Sequence, residues 1–213
     1  MDSKKLILVF FILITNSEIV LSQCGQAFIW YFGTNAGIEF SPAGPVSILG
    51  GQLDTQEGCA TICDPNGNLL FYTDGITVWN ALHNQMPNGF GLFGNSSSSQ
   101  SAVIVKEPLS TNTYYIFTVE DDFGFYGLRY SVVDMNLDGG LGDIVPSQKN
   151  VLLFLPACEK IAAALHQNGT DIWIIAHYGG NPNFVSYLIN QFGIQSNSPM
   201  ISQIGHDYSA AAP

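Results

Sequence analysis

Residues 60–80 of the chain read ATICDPNGNLLFYTDGITVWN. The runs ATIC and LLFYT are joined by an Asn-Gly turn, and ITVWN follows after Asp-Gly. Short runs of β-branched and aromatic residues separated by such turns are typical of antiparallel strands joined by hairpins. The runs are too short, and too often interrupted by Gly, Pro and Asn, to be helices. This stretch therefore predicts a small antiparallel sheet.

The same pattern occurs twice more along the chain. Each occurrence begins with an alanine, at Ala60, Ala102 and Ala162, and continues through two turns into two further strands. The further strands are predicted at 69–74 and 76–80, at 114–119 and 128–133, and at 172–177 and 184–189. The alanines are 42 and 60 residues apart, a period typical of β-propeller blades. Small residues are expected in the first strand of each blade, because neighbouring blades crowd together around the axis.

These repeats set the predicted fold class. We expect an all-β chain that forms a partial β-propeller of about three antiparallel blades, preceded by an N-terminal strand. The predicted segments are a strand and loop at 23–57 and blades at about 58–99, 100–158 and 159–213. Three blades do not close a ring, because propellers have at least about four. We therefore expect the propeller to be incomplete within this chain.

The composition limits the classes of function. The 213 residues are 46% hydrophobic and 11% charged, which is enough apolar content to bury the core of a domain. Six residues are Lys or Arg and 17 are Asp or Glu, so the formal net charge is −11. So few cations cannot neutralise nucleic-acid phosphates or an anionic membrane surface. We expect no nucleic acid among the partners.

The first residues have the pattern of an export signal. Lys4 and Lys5 precede an unbroken apolar run at 6–14, and small side chains precede Gln23. This pattern predicts a signal peptide at 1–22 and hence a secreted or cell-surface protein. The alternative is a lipoprotein signal, since Leu-Ser-Gln before Cys24 resembles a lipobox and would place a lipid anchor on that cysteine. No later segment is apolar over the length of a transmembrane helix, so no membrane span is expected after signal removal.

The chain has four cysteines, Cys24, Cys59, Cys63 and Cys158. Cys59 and Cys63 lie on one predicted strand about 13 Å apart, well beyond the ~7 Å that a disulfide allows between Cα atoms. These two cysteines are therefore not expected to pair with each other. Burial as free thiols is the simpler interpretation of the cysteines, and the disulfide state of the four stays open, because export permits disulfides.

Several longer motifs resemble a single family. They are WYFGTNAGIEF at 30–40, EGCATI at 57–62, NGNLLFYTDGITVWN at 66–80, MPNG at 86–89 and VDMNLDGGLGD at 133–143. Over residues 28–206 the chain is similar to the N-terminal propeller-like region of large Bacteroidota surface proteins. Those proteins usually end in a gliding-motility-associated, type B sorting domain that the type IX secretion system recognises. The resemblance implies a propeller-like fold at the cell surface. In the family, further blades and the sorting domain follow, so we expect the chain to correspond to the N-terminal part.

The sharpest candidate for a ligand site is a set of polar residues next to the predicted first strands. Glu57, Gln100 and Glu159 stand just before the three alanines. If the repeats share one register, these side chains converge at one mouth of the channel. Two acids and an amide there would favour a neutral polyol or a cation, and the simpler interpretation is that they cap strand ends and bind water. A polysaccharide or another surface protein is the expected partner.

A second candidate is a calcium site. Asp134, Asn136 and Asp138 place oxygen ligands at alternate positions before a glycine, as in the first half of a calcium loop, and Asp143 lies further along. The glutamate that usually completes such a loop is absent, and no helix pattern flanks it. The alternative is a polar turn between blade strands. No other cofactor is expected.

The sequence leaves three functional hypotheses. The first is an exported, non-catalytic binding or adhesion module, favoured by the repeats, the long loops at 41–57 and 81–100, and the lack of a nucleophile or nucleotide motif. The second is a glycan-acting hydrolase that uses Glu57 and Glu159 as paired carboxylates. The third is a truncated stub without independent function, which would expose an unpaired blade edge.

Overall fold

The computed structural model describes residues 25–121 and 124–206. Within these ranges the regular elements are β-strands and short 3₁₀ helices at Gly25–Ala27, Asp138–Gly140 and Pro146–Gln148. The predicted all-β class is confirmed. None of the described helices is long and apolar enough to cross a membrane. The predicted signal peptide at 1–22, Cys24 and the segment 207–213 lie outside the described residues.

The first sheet lies where the sequence predicted one strand and a loop. It contains β1 (Ile29–Phe32), β2 (Ala36–Ser41) and β3 (Gly44–Ile48), which pair antiparallel in that order. Two tight turns make the extra strands possible. Gly33 and Asn35 have φ of 56° and 54°, and the Ser41 hydroxyl donates a hydrogen bond of 2.8 Å to the Gly44 carbonyl. The segment 23–57 thus folds into hairpins, with residues 49–57 left as the predicted loop, apart from a single bridge pair between Thr34 and Asp54.

The second sheet occupies the first predicted blade. Its strands are β4 (Ala60–Cys63), β5 (Leu69–Thr73), β6 (Thr77–Asn80) and β7 (Gln85–Phe90), paired antiparallel in chain order. The Asp64 carboxylate accepts hydrogen bonds from the backbone nitrogens of Asn66 and Asn68, at 2.8 and 2.9 Å, and so closes the predicted Asn-Gly turn. β7 lies within residues 81–100, which the sequence predicts as a long loop.

The third and fourth sheets occupy the remaining two predicted blades. The third contains β8 (Ala102–Lys106), β9 (Thr113–Thr118), β10 (Leu128–Asp134), β11 (Asp143–Ile144) and β12 (Val151–Phe154), with both β11 and β12 paired to β10. The fourth contains β13 (Ala157–Leu165), β14 (Ile172–Tyr178), β15 (Asn183–Asn190), β16 (Gly193–Ile194) and β17 (Met200–Gln203), with both β16 and β17 paired to β15. Each of the two sheets begins with the strand that carries the repeated alanine.

Successive sheets pack face to face in chain order. Tyr31 of the first sheet lies 4.7 Å from Tyr72 of the second, measured between ring centroids. Phe71, the neighbour of Tyr72, contacts Tyr114 of the third sheet across the opposite face, at 5.6 Å. Adjacent residues of a strand point to opposite faces, and both Phe71 and Tyr72 are fully buried. The second sheet is therefore covered on both faces. The same holds for the third, whose other face packs on the fourth through a core that includes Phe117.

The outer faces of the two end sheets are left uncovered by the described residues. In the first sheet Trp30 is 50% exposed, whereas its neighbour Tyr31 is 5% exposed. In the fourth sheet Ala162 and Ala164 are exposed, whereas Ile161 between the sheets is buried. The described strands form an open stack of four sheets and do not join into a closed barrel.

The register inferred from the three alanines is wrong in the fourth sheet. Ala60 and Ala102 each begin their strand and pair with the last residue of the next strand. In the fourth sheet this place belongs to Ala157, which pairs with Tyr178, whereas Ala162 pairs with Ile175 in mid-strand. The cause is that β13 has nine residues and a bulge, so it extends further than β4 and β8 beyond the turn used to align them.

Candidate binding pocket

The candidate site lies at one end of the stacked sheets, here called the starting end because β4, β8 and β13 begin there. Connections in antiparallel sheets alternate between the two ends. The starting end therefore carries the connection 91–101 and the described parts, 119–121 and 124–127, of the connection after β9, and the opposite end carries 64–68, 107–112 and 166–171. The strand topology therefore brings the residues just before β4, β8 and the start of β13 to the same end of the sheets.

The crossover 91–101, which leads from the second sheet to the third, organises the starting end. Its carbonyls at Ser96 and Ser98 accept hydrogen bonds from the backbone nitrogens of Glu57 and Gly58, at 3.2 and 3.0 Å. Its Asn95 amide donates to the Asp121 carboxylate at 2.7 Å. The crossover therefore contacts the segment before β4 on one side and the connection after β9 on the other.

Glu159 is held in place by the same crossover. The Ser99 backbone nitrogen donates to Oε2 of Glu159 at 3.1 Å, and the Ser99 hydroxyl donates to Oε1 at 2.8 Å. The Ser98 hydroxyl donates to the Glu159 carbonyl at 3.3 Å. Hydrogen bonds to an ionised carboxylate are stronger than those between neutral groups. The carboxylate thus has a fixed position, and its remaining lone pairs are available to a ligand.

A pocket of about 440 Å³ opens beside Glu159 on the uncovered face of the fourth sheet. Its polar lining includes Gln100, Glu159 and Lys160, and its apolar lining includes Ile175 and Phe184. Side chains at alternate positions of β13 to β15 share one face, which is why residues far apart in the sequence line one cavity. An apolar floor with a few convergent polar groups is the usual form of a small-molecule site.

The structure brings together two of the three residues that the sequence singled out. Gln100 and Glu159 line the pocket, whereas Glu57 does not and is exposed. All three lie in or against the crossover: Gln100 belongs to it, Ser99 binds Glu159, and the Glu57 backbone nitrogen bonds to the Ser96 carbonyl. Glu57 lies outside the pocket because β4, β8 and β13 do not share the register that the prediction assumed. Glu159 lies inside β13, whereas Glu57 precedes β4.

Sequence reasoning missed a cysteine–histidine pair in the pocket lining. The Cys158 sulfur lies 3.4 Å from Nδ1 of the buried His177, and the Phe184 ring meets the imidazole edge-on at 4.7 Å between centroids. The pairing of Ala157 with Tyr178 places Cys158 opposite His177. A correct register for these two strands would therefore have predicted this contact. Burial, and to a lesser extent the charge of Glu159, raises the pKa of the Cys158 thiol. The pair therefore holds a neutral thiol rather than an activated thiolate.

The other described cysteines are free thiols as well. Cys59 and Cys63 form no disulfide, which confirms that they do not pair with each other. The Cys59 thiol donates a hydrogen bond to the Tyr31 carbonyl at 3.4 Å, and burial raises the pKa of both thiols. Both cysteines lie at the packed interface between the first two sheets. Unreactive cysteines in such a position behave as small apolar residues.

The predicted calcium ligands lie in and beside a turn at the opposite end. Oδ1 of Asp134 accepts hydrogen bonds from the backbone and side-chain nitrogens of Asn136, both at 2.8 Å. The buried Asp143 carboxylate turns towards the second sheet, where it accepts bonds from the backbone and side chain of Asn88 at 2.8 and 2.6 Å. Asp138 begins a 3₁₀ turn with φ of 49°. Among the described residues no three His, Cys, Asp or Glu side chains form a group suited to a metal ion.

Comparison of the chain with protein-family models, with curated proteins and with solved structures gave no match.

Proposed function

We propose that the chain is a non-catalytic binding module that takes a neutral carbohydrate in the pocket beside Glu159. The observation that carries this proposal is one cavity with an apolar floor, including Ile175 and Phe184, and a polar rim of Gln100, Glu159 and Lys160. A sugar ring presents C–H groups on its faces and hydroxyls around its edge. Aromatic and aliphatic side chains suit the first, and a carboxylate, an amide and an ammonium suit the second.

The charges of the lining favour a neutral ligand. Glu159 and Lys160 supply one negative and one positive group, so the rim has little net charge. The chain as a whole carries a formal charge of −11, which repels phosphate and other anions at a distance. A polyol with many hydroxyls can donate to the carboxylate and accept from the ammonium and the amide without placing a net charge in the pocket.

The lining also favours binding over hydrolysis. Most glycosidases use two carboxyl groups about 5–10 Å apart. Glu159 is the carboxylate in the pocket lining, and Glu57, its partner in the hydrolase hypothesis, lies outside. Two outcomes would contradict this proposal. The first is hydrolysis of a bound glycan, and the second is the absence of any binding, as expected for a truncated stub.

We further propose that the module acts outside the cell as part of a surface protein, with its four sheets as blades of an incomplete propeller. Support comes from the export pattern of residues 1–22, from the resemblance of the motifs quoted above to those of Bacteroidota surface proteins, and from the face-to-face packing of sheets whose first strands lie side by side. N-terminal sequencing of material secreted by a bacterial host tests the export step. The first residue should be at or near Gln23, and an intact Met1 on exported protein would contradict it.

The binding proposal is tested with an array of neutral oligosaccharides (glucans, mannans and xylans), followed by calorimetry on those that bind. Glu159→Gln and Lys160→Met should each weaken binding about tenfold, because each removes a charge-assisted hydrogen bond. The matched controls are Glu57→Gln and Lys106→Met, which make the same changes outside the pocket lining. Equal losses in variants and controls, or no binding to the array, would overturn the proposal, and reducing ends released by the wild type would replace it with hydrolysis.

A further inference from the structure

We infer that the exposed rings of Phe125 and Tyr126, backed by Phe93, form a second contact for the same ligand, so that the module binds an extended polysaccharide chain. This inference rests on the proposed function. The three aromatic residues, here called the aromatic platform, lie on the connection 91–101 and on the described part, 124–127, of the connection after β9, at the same end of the sheets as the pocket.

The platform is built around a parallel ring stack. The Phe93 and Tyr126 rings are 4.3 Å apart between centroids, with 14° between their planes. The Arg129 guanidinium lies over the Phe93 ring at 5.1 Å. Because Phe93 covers one side of Tyr126, the 44% of Tyr126 that remains exposed faces solvent. A stacked, planar surface of this kind presents the negative face of an aromatic ring to the C–H groups of a sugar.

Hydrogen bonds fix the platform in place before any ligand arrives. Nε of Arg129 donates to the Tyr126 carbonyl at 2.7 Å, and Nη1 donates to the Asn150 carbonyl at 2.8 Å. The Asn150 side chain accepts from the Phe93 backbone nitrogen at 3.2 Å. The Tyr126 backbone nitrogen donates to the Glu120 carboxylate at 3.2 Å. A site ordered in advance loses less conformational entropy on binding.

Phe125, which precedes Tyr126 in the same turn, is 94% exposed. An aromatic ring that contacts so little of its own protein contributes almost nothing to folding through burial. It is therefore free to contact a ligand, and loops commonly carry the residues that bind ligands.

The size of the platform favours a carbohydrate over a protein partner. An aromatic side chain has about 150–250 Å² to bury, and Phe93 and Tyr126 are already partly covered. A stable protein interface takes about 800 Å² from each partner. Three rings fall well short of this area, whereas stacking a sugar ring on one or two aromatic faces requires no more.

The platform and the pocket are joined by a short, anchored segment. Residues 94–99 separate Phe93 from Gln100, and this segment is fixed at one end by the Asn95–Asp121 hydrogen bond and at the other by Ser99 and Glu159. The seven Cα–Cα steps from Phe93 to Gln100 span at most about 25 Å. A glycan of several sugar units therefore reaches from the platform to the pocket, whereas a disaccharide occupies one of them.

The test compares dimers and hexamers of β-1,4-glucose, β-1,3-glucose and β-1,4-mannose by calorimetry. The wild type should bind the preferred hexamer at least tenfold more tightly than its dimer. Phe125→Ala should reduce that advantage to threefold or less. The control is Phe192→Ala, which removes another exposed phenylalanine, 82% exposed, at the opposite end of the sheets. Circular dichroism and melting of both variants confirm that they fold.

The outcomes separate the two proposals. Loss of dimer binding in Glu159→Gln together with an unchanged hexamer advantage in Phe125→Ala overturns the platform and leaves the pocket in place. Equal effects of Phe125→Ala and Phe192→Ala also overturn it. Failure of the wild type to bind any of the six probes or any oligosaccharide of the array overturns the platform together with the pocket. A protein partner whose binding requires Phe125, in the absence of glycan binding, would assign the rings to a protein interface instead.

Discussion

Ser99 holds the carboxylate of Glu159 with two hydrogen bonds, one from its backbone nitrogen at 3.1 Å and one from its hydroxyl at 2.8 Å. Ser99 lies on the crossover 91–101 and Glu159 lies in β13, 60 positions further along the chain. This contact joins the crossover before the third sheet to the first strand of the fourth. It orders the rim of the pocket and therefore links the stability of the crossover to the proposed binding.

Ser99→Ala should weaken both properties to different extents. The hydroxyl is exposed, so we expect a loss of about 0.5–1 kcal/mol in the free energy of unfolding. Ligand affinity should fall by about threefold or more, since the Glu159 carboxylate regains rotational freedom. Denaturant unfolding and calorimetry measure the two effects. Ser196→Ala, an exposed serine in a turn of the fourth sheet, is the control. Equal behaviour of the two variants would show that the contact positions nothing.

Gly58→Ala should destabilise the junction between the second and third sheets. A Cβ at Gly58 would collide with the backbone nitrogen of Ser101, and main chain cannot move aside as a side chain can. Forcing extra atoms into such a contact costs about 1–3 kcal/mol. The melting temperature should fall by several degrees, because a protein of this size loses about 2–4 °C per kcal/mol. A melting temperature equal to that of the wild type would show that the backbones separate freely.

Alkaline pH should destabilise the fold. Burial raises the pKa of Tyr72 from its usual value near 10 to about 12, and burial likewise raises the pKa of Tyr115, Tyr114 and the Cys63 thiol. Above the ordinary pKa of each group, near 9 for the thiol and near 10 for the tyrosines, the unfolded chain loses the proton while the folded chain retains it, so deprotonation favours unfolding. The free energy of unfolding should be flat from pH 7 to about 8.5 and fall between pH 10 and 12.

Urea unfolding at a series of pH values measures this dependence. Tyr72→Phe is the informative variant, because it keeps the ring and removes the ionisable hydroxyl. It also removes the hydrogen bond that this hydroxyl accepts from the Gln52 nitrogen at 3.0 Å, so stability at pH 7 should fall slightly. Its decline above pH 10 should be shallower than in the wild type. An identical slope would show that Tyr72 does not contribute.

Calcium should leave the thermal stability unchanged. Oδ1 of Asp134 already accepts two hydrogen bonds within its turn, and the Asp143 carboxylate is bound to Asn88. An ion would have to replace these bonds to gain its ligands. We expect the melting temperature in millimolar Ca²⁺ to match that in a chelator within about 1 °C. A rise of several degrees that Asp134→Ala abolishes would establish the site predicted from the sequence.

The uncovered face of the first sheet should promote self-association. Trp30 and Phe40 lie edge-to-face at 5.1 Å between ring centroids and are 50% and 37% exposed. Contiguous exposed apolar surface drives association of soluble proteins. Sedimentation of the purified chain should show a concentration-dependent increase in mass that the double variant Trp30→Thr, Phe40→Thr reduces. Leu49→Thr, which alters an 88% exposed residue outside the strands, should have no effect, and equal mass distributions in all three would contradict this expectation.

The sequence by itself determined the local structure. The Asn-Gly turn after Asp64 and the β-branched and aromatic runs of β5 and β14 are short-range properties, so the strands at 69–73 and 172–178 lie close to where they were predicted. The sequence also determined that Cys59 and Cys63 do not pair, because strand geometry alone keeps them apart. Turn chemistry and strand periodicity act over a few residues and can be recognised without the rest of the chain.

The tertiary structure decided which side chains meet. Gln100 and Glu159 share a pocket while Glu57 does not, because β13 is longer than the other first strands and contains a bulge. The pairing of Cys158 with His177 depends on that same register, and the stack of Phe93 on Tyr126 depends on how two connections pack at one end of the sheets. Such contacts join residues far apart in sequence, and a shift of one residue in a strand turns every side chain to the other face. Only the packed sheets fix that register.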